Sequence, residues 1–226
     1  MPYAIDDYVK VYLPFESDTI DIVSKTVLTA RNLSGYESIS TAIPVPCIHS
    51  NLIFGSIPLT FGSNDFCIEF FYKDMDGSSA DWDNMFAFGT HDTAGGDSTS
   101  FCIGFRGGEF RLCPSRDGIT IDLGKAFSDF SGQLRHVAVT NHNGNFITYL
   151  DGIPLSSVNT MSFPDSTTSF YMNGKGCSGT INAYVSQLKI SIGTPVHMEP
   201  FDPYAYAFGN SYKGFVDKES MLWSYK

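Results

Sequence analysis

Apolar and polar residues alternate along much of this chain with a period of two, the spacing of strands that turn one face to a core. The clearest run is Phe66–Tyr72 (FCIEFFY). Phe66, Ile68, Phe70 and Tyr72 share one face, and Cys67, Glu69 and Phe71 the other. Tyr8–Phe15 (YVKVYLPF) reads as an opening strand, with Val9, Val11 and Leu13 opposed to Tyr8, Lys10 and Tyr12. Further strands are predicted over Asn84–Gly89, Phe101–Phe105, Glu109–Cys113, Ile119–Leu123, Ser169–Asn173 and Ala183–Ile192. Arg106-Gly107-Gly108 marks one hairpin, and Asn141-His142-Asn143-Gly144 joins Arg135–Thr140 to Asn145–Leu150 in another. Asp151-Gly152 reverses the chain again at once; Asn-Gly and Asp-Gly supply the positive φ angles of tight turns. No helical period lasts beyond about two turns, and strands recur roughly every 8–15 residues. The pattern predicts an all-β, antiparallel two-sheet sandwich.

Composition supports that reading and removes some functions. The 226 residues include 19 Phe and 12 Tyr, enough aromatic bulk for a large core, while only 17% are charged. Net charge is −10, from 24 acidic and 14 basic residues, and no Lys/Arg cluster offsets it. Such a surface repels a phosphate backbone, so nucleic acid is not an expected partner. No stretch approaches the roughly 18 apolar residues of a membrane span, so membrane insertion is not expected either. The start, MPYAIDDYVK, has no basic segment followed by an apolar one, and no signal peptide is predicted. Cys47, Cys67, Cys102, Cys113 and Cys177 are odd in number and lack CxxC spacing, which argues against a zinc knuckle. Cys67 and Cys102 lie in apolar runs, where a thiol packs as a small hydrophobe. A bridge between Cys102 and Cys113 across a hairpin stays open beside the default of free thiols.

Particular residues carry a family resemblance. GQLRHVAVTNHNGNFITYLDGIPL, residues 132–155, resembles the central signature of the laminin-G-like, or concanavalin A-like, jelly roll. Gly132, His136, Val137, Ala138, Val139, Thr140, Tyr149, Asp151 and Gly152 match; Leu134 stands where the family has Trp, and Arg135 where it has a first His. NDFCIEFFYK (64–73) and VKVYLPFES (9–17) resemble the family's corresponding strands. VSQLKISIGTPVHMEPFDP (185–203) is similar to the closing stretch of copies found in bacteriophage virion proteins. The resemblance implies a concanavalin A-like jelly-roll sandwich over residues 1–205, followed by an aromatic tail, 206–226.

Candidate chemistry is sparse. The Glu-x-Asp-x-Glu pattern of glucanases on this fold is missing: Glu16-Ser17-Asp18 is followed by Ile20, and Glu69 stands alone on its strand. Gly-x-Ser-x-Gly is absent as well, so no enzyme is predicted. Asp74, Asp76, Asp81 and Asp83 crowd adjacent loops and make calcium a candidate cofactor, since flexible oxygen-rich loops suit that ion. Trp82, flanked by Asp81, Asp83 and Asn84, is the first candidate for stacking on a sugar; Tyr171 and Asn173 are the second. His136 is expected to be packed, and no two His have metal-ligand spacing, so zinc is not predicted. Tyr204, Tyr206, Phe208, Tyr212, Phe215 and Trp223 suit docking or homo-oligomer assembly. The leading expectation is a non-catalytic bacteriophage virion protein. It would be a capsid decoration or tail protein contacting other virion proteins or host-surface polysaccharide in host attachment. The alternative is a stand-alone carbohydrate-binding lectin, with or without calcium.

Overall fold

The computed structural model describes residues 7–15, 18–31, 35–38, 46–50, 52–75, 83–90, 98–113, 121–130, 132–159, 166–167, 169–175, 179–180, 183–194 and 196–204. Among these described residues 18 strands form. The first six are β1 (Val9–Leu13), β2 (Thr29–Arg31), β3 (Gly35–Ser38), β4 (Pro46–Ser50), β5 (Leu52–Gly55) and β6 (Leu59–Thr60). Next come β7 (Phe66–Asp74), β8 (Asp83–Thr90), β9 (Ser98–Arg106), β10 (Glu109–Cys113), β11 (Ile121–Ala126) and β12 (Arg135–His142). The last are β13 (Asn145–Leu150), β14 (Ile153–Asn159), β15 (Ser166–Thr167), β16 (Phe170–Lys175), β17 (Gly179–Thr180) and β18 (Ala183–Ile192). A single 3-10 turn, Phe127–Asp129, separates β11 from β12.

Sixteen of the strands build two antiparallel sheets, and β6 pairs with β15 apart from them. The first runs β14-β13-β12-β7-β18-β4-β3, with β1 also paired to β18; the second runs β11-β10-β9-β8-β16-β5-β2, with β17 beside β16. The inward face of β7 is the predicted one: Phe66, Ile68, Phe70 and Tyr72 join Val137 and Val139 of β12 in the central core. Phenylalanines from the second sheet meet them; the Phe70 and Phe86 rings, for example, stack with centroids 6.1 Å apart. Arranged edge-to-face and offset, such rings fill the space between sheets at native density.

Both hairpin turns form as their residues require. Asn143 and Gly144 adopt φ of 51° and 80°, Asp151 and Gly152 of 52° and 79°. The paired left-handed residues match the twist of the flanking strands.

The opening strand departs from strict alternation. Its register against β18 shifts between Val9 and Val11. Val11 and Leu13 face the central core, whereas Val9 joins Tyr12 and Phe71 in a separate outer cluster. A bulge thus moves Val9 to the opposite face from the predicted one. The irregularity has a counterpart in β18, which pairs with β4 through Ala183–Val185 and with β1 through Leu188–Ser191. Between these segments Gln187 takes a φ of 54°. Its buried amide donates to the Pro14 carbonyl at 3.3 Å and accepts from the Tyr12 hydroxyl at 2.5 Å.

The outer face of the first sheet is also covered. Residues 196–204 cross it, and Phe201 and Val196 pack on Cys67, Ala138 and Tyr149. This explains why β12 and β18 read as buried on both faces.

Candidate functional site

An open groove lies at the edge of the second sheet, where β2, β5, β8 and β16 meet. Its wall is positioned by a buried carboxylate. Asp21 accepts the Tyr12 amide at 2.7 Å and the Ser24 amide at 2.6 Å, fixing the turn that leads into β2. Thr26, Val27 and Thr29 follow on that turn and strand, and Val27 is 68% exposed. Across the groove stand the half-buried ring of Phe54 and the hydroxyls of Ser56 and Ser169. Gly55 and Gly89 contribute backbone to the floor. A Cβ at Gly55 would lie 1.9 Å from Leu28 Cδ2, so a larger residue there would push the Leu28 side chain aside. The lining residues combine an apolar ring with hydroxyl groups, and none of them carries a charge.

A second feature is closed to solvent and strongly polar. Glu69 projects from β7 onto the outer face, opposite Ala138 of β12 and Lys189 of β18. Ala138 fills little space, and the carboxylate occupies the room beside it. Lys189 Nζ lies 3.2 Å from Glu69 Oε1. His197, delivered by the covering segment, places Nε2 2.9 Å from Oε2, and His136 Nε2 lies 3.4 Å from the same oxygen. Relative exposure is 0% for Glu69 and His136 and 4% for Lys189 and His197. Burial alone would push the Glu69 carboxyl up. The contacts with His136 and His197, and the Lys189 charge, outweigh it and hold the group well below the usual carboxylate range. Cys67, two residues back on the same face, is raised well above the ordinary thiol value by burial first and by the Glu69 charge second. Thr140 donates a hydrogen bond to its Sγ at 3.5 Å.

Aromatic rings enclose this cluster. The His197 ring stacks on Phe201 at 3.6 Å between centroids, and His136 meets Phe71 edge-on at 4.8 Å. The signature hairpin secures the lid: Asp151 accepts the His136 amide at 2.8 Å and Arg135 Nη1 at 2.6 Å. The neighbouring Gly152 carbonyl accepts the Phe201 amide at 3.1 Å.

The residues singled out from the sequence are distributed differently. Asn84 and Tyr171 do come together, with Asn84 Nδ2 donating to Tyr171 Oη at 2.8 Å, and both are buried. Asn173 is buried too and donates to the Ala183 carbonyl at 3.5 Å. Asp74 closes β7 and Asp83 opens β8, both buried; Asp76, Asp81 and Trp82 lie outside the described residues. Tyr204 packs on the first sheet, its ring 5.3 Å from that of Phe71, whereas Tyr206, Phe208, Tyr212, Phe215 and Trp223 lie outside the described residues. Cys47, Cys67, Cys102 and Cys113 are free thiols; Cys102 and Cys113 face each other across the β9–β10 ladder.

Neither the groove nor the Glu69 cluster is singled out by the sequence. Glu69 reads as a solitary acid because its partners come from other strands and from the closing segment. Glu69 interrupts the apolar run Phe66–Tyr72 and Lys189 is the one charged residue of β18, and that shared oddity is the signal that could have paired them.

No protein-family profile matches the chain, and none of the characterised protein sequences compared with it matches either. Solved structures do match in fold. Domain 4 of an extracellular arabinanase from Geobacillus stearothermophilus, in complex with arabinotriose, aligns with TM-score 0.61 and 16% identity, over 88% of this chain and 98% of that one. The ligand-binding domain of botulinum neurotoxin serotype D, in complex with N-acetylneuraminic acid, gives TM-score 0.59 and 12% identity, over 92% of this chain and 51% of that one. A Trypanosoma rangeli sialidase gives 0.57 and 13%, over 87% of this chain and 32% of that one. The chain therefore spans about half of the toxin domain and about a third of the sialidase. At these identities the likeness is one of fold.

Proposed function

We propose that the chain is a non-catalytic glycan-binding module that takes a neutral sugar in the Phe54 groove. The observation that carries this reading is the lining: an accessible aromatic ring beside Thr26, Thr29, Ser56 and Ser169, with no charged side chain among them. A sugar offers an apolar ring face and a rim of hydroxyls, which such a surface can stack on and hydrogen-bond. A carboxylated sugar would need a cation, and the lining offers none. Two of the fold neighbours were solved with a saccharide bound, one neutral and one acidic. The groove chemistry favours the neutral kind.

The virion reading has only the resemblance of residues 185–203 behind it, and none of the neighbours named above is a virion protein. The calcium-dependent form of the lectin reading turns on Asp74, Asp76, Asp81 and Asp83, and is separated by titrating with calcium and with a chelator. The deciding experiment is calorimetric titration with arabinotriose and, separately, N-acetylneuraminic acid, alongside an array of neutral glycans. Binding of a neutral glycan, weakened at least tenfold in Phe54→Ala and in Val27→Glu, is expected. Val27 is exposed, so its variant tests the groove without disturbing the core. Binding unchanged in both variants, or confined to the acidic sugar, would overturn the assignment.

A further inference from the structure

We propose that Cys67, Glu69 and His197 form a buried zinc site beneath the segment 196–204. The ligating atoms of Cys67, Glu69 and His197 already lie within 4.8 Å of one another, and all three residues are buried. His136 stands beside them, outside the shared spacing of the three. Its ring is fully buried, neither ring nitrogen has a hydrogen-bond partner among the described residues, and Nε2 points at Glu69 Oε2 from 3.4 Å. A buried imidazole without a hydrogen bond is costly unless something else uses its lone pair. In a tetrahedral shell with zinc bonds of 2.0–2.3 Å, neighbouring ligand atoms stand about 3.3–3.8 Å apart. The 2.9 Å His197–Glu69 contact opens by a few tenths of an ångström when the shared proton gives way to the ion.

The donor set points to the metal. One sulfur, one imidazole nitrogen and one carboxylate oxygen in a closed space suit zinc, whereas calcium and magnesium require oxygen shells. The surroundings are those of a supported site. Lys189 holds the remaining carboxylate oxygen, Oε1, at 3.2 Å, and the Thr140 hydroxyl donates to the sulfur at 3.5 Å. Contacts of this kind orient ligands and stabilise their charged forms. On binding, the Cys67 S–H bond breaks, its proton leaves to solvent and the thiolate forms the Zn–S bond. The ion ties β7 to the covering segment.

The test uses the full chain, expressed in zinc-supplemented medium and examined by native mass spectrometry and metal analysis. One zinc per chain is expected, falling at least tenfold in Cys67→Ser and persisting in Cys47→Ser, a buried cysteine outside the cluster. Refolding with cobalt(II) should produce a thiolate-to-cobalt band in the near ultraviolet that is absent in Cys67→Ser. Should that variant not fold, His197→Ala on the covering segment serves in its place, with the same loss of metal expected. Folded wild-type protein that carries no zinc and gives no cobalt band refutes the site, as does equal zinc in Cys67→Ser. Because the glycan groove lies on the other sheet, saccharide titration of the metal-free protein separates this result from the fate of the lectin reading.

Discussion

Gly152 shows how much one position can be asked to do. It holds a φ of 79° in the hairpin turn, and a Cβ there would sit 1.8 Å from the Phe201 carbonyl oxygen. Gly144 has nearly the same backbone, φ 80°, but open space around it. The pair separates two costs. Gly144→Ala should lose about 1–2 kcal/mol, the penalty of the left-handed conformation alone. Gly152→Ala should lose that and more, with amide exchange accelerated in residues 196–204, because the covering segment must lift. Equal melting temperatures for the two variants would contradict the close approach. The Asp-Gly at 151–152 was readable as a turn; its second role was not, since Phe201 lies far along the chain. The same distance hid the Glu69 network. His197 is 128 residues away from Glu69, and local spacing carries no trace of such a partnership.

At the scale of elements, legibility followed burial. Phe66–Tyr72 could be assigned face by face because a strand between two apolar environments leaves its alternation intact. Phe70 sits at the centre of that face, fully buried against Phe86 of the other sheet. Phe70→Ala should cost about 3–5 kcal/mol, read as a fall in the denaturant midpoint. A loss below about 1 kcal/mol would mean the two sheets do not meet there. β1 was less readable because a bulge obeys the needs of its partner: β18 passes from β4 to β1 across Gln187, and Val9 shifts face in response. The closing segment was the least legible. Nothing in the alternation of Val137 and Val139 against His136, Ala138 and Thr140 says that the second face is covered too. Only the aromatic content of the stretch around Phe201 hinted that it had to pack somewhere.

For the whole molecule, the two sheets set where ligands can reach. The first sheet is occupied on its inner face by the core and on its outer face by residues 196–204. At the open edge of the second sheet, near β2 and β5, the groove sets an aromatic ring beside hydroxyls, which is where the proposed glycan would bind. Sandwich and hairpins could be anticipated from residue pattern. The groove could not, because it is assembled from β2, β5, β8 and β16, which converge only through sheet topology.

β18 stands third from the β3 end of the main path of the first sheet, flanked by β7 on one side and by β4 and β1 on the other. Its residues, 183–192, nevertheless come after those of every other described strand. A ribosome-bound chain holding everything up to residue 182 has β1 and β4 with no strand to join them to β7. A fragment ending there should therefore lack a cooperative melt and bind a hydrophobic dye, whereas one that includes residues 183–204 should fold. The sandwich closes late in its own synthesis, and the nascent chain must keep a dozen or so aromatic faces from their wrong partners until that strand arrives.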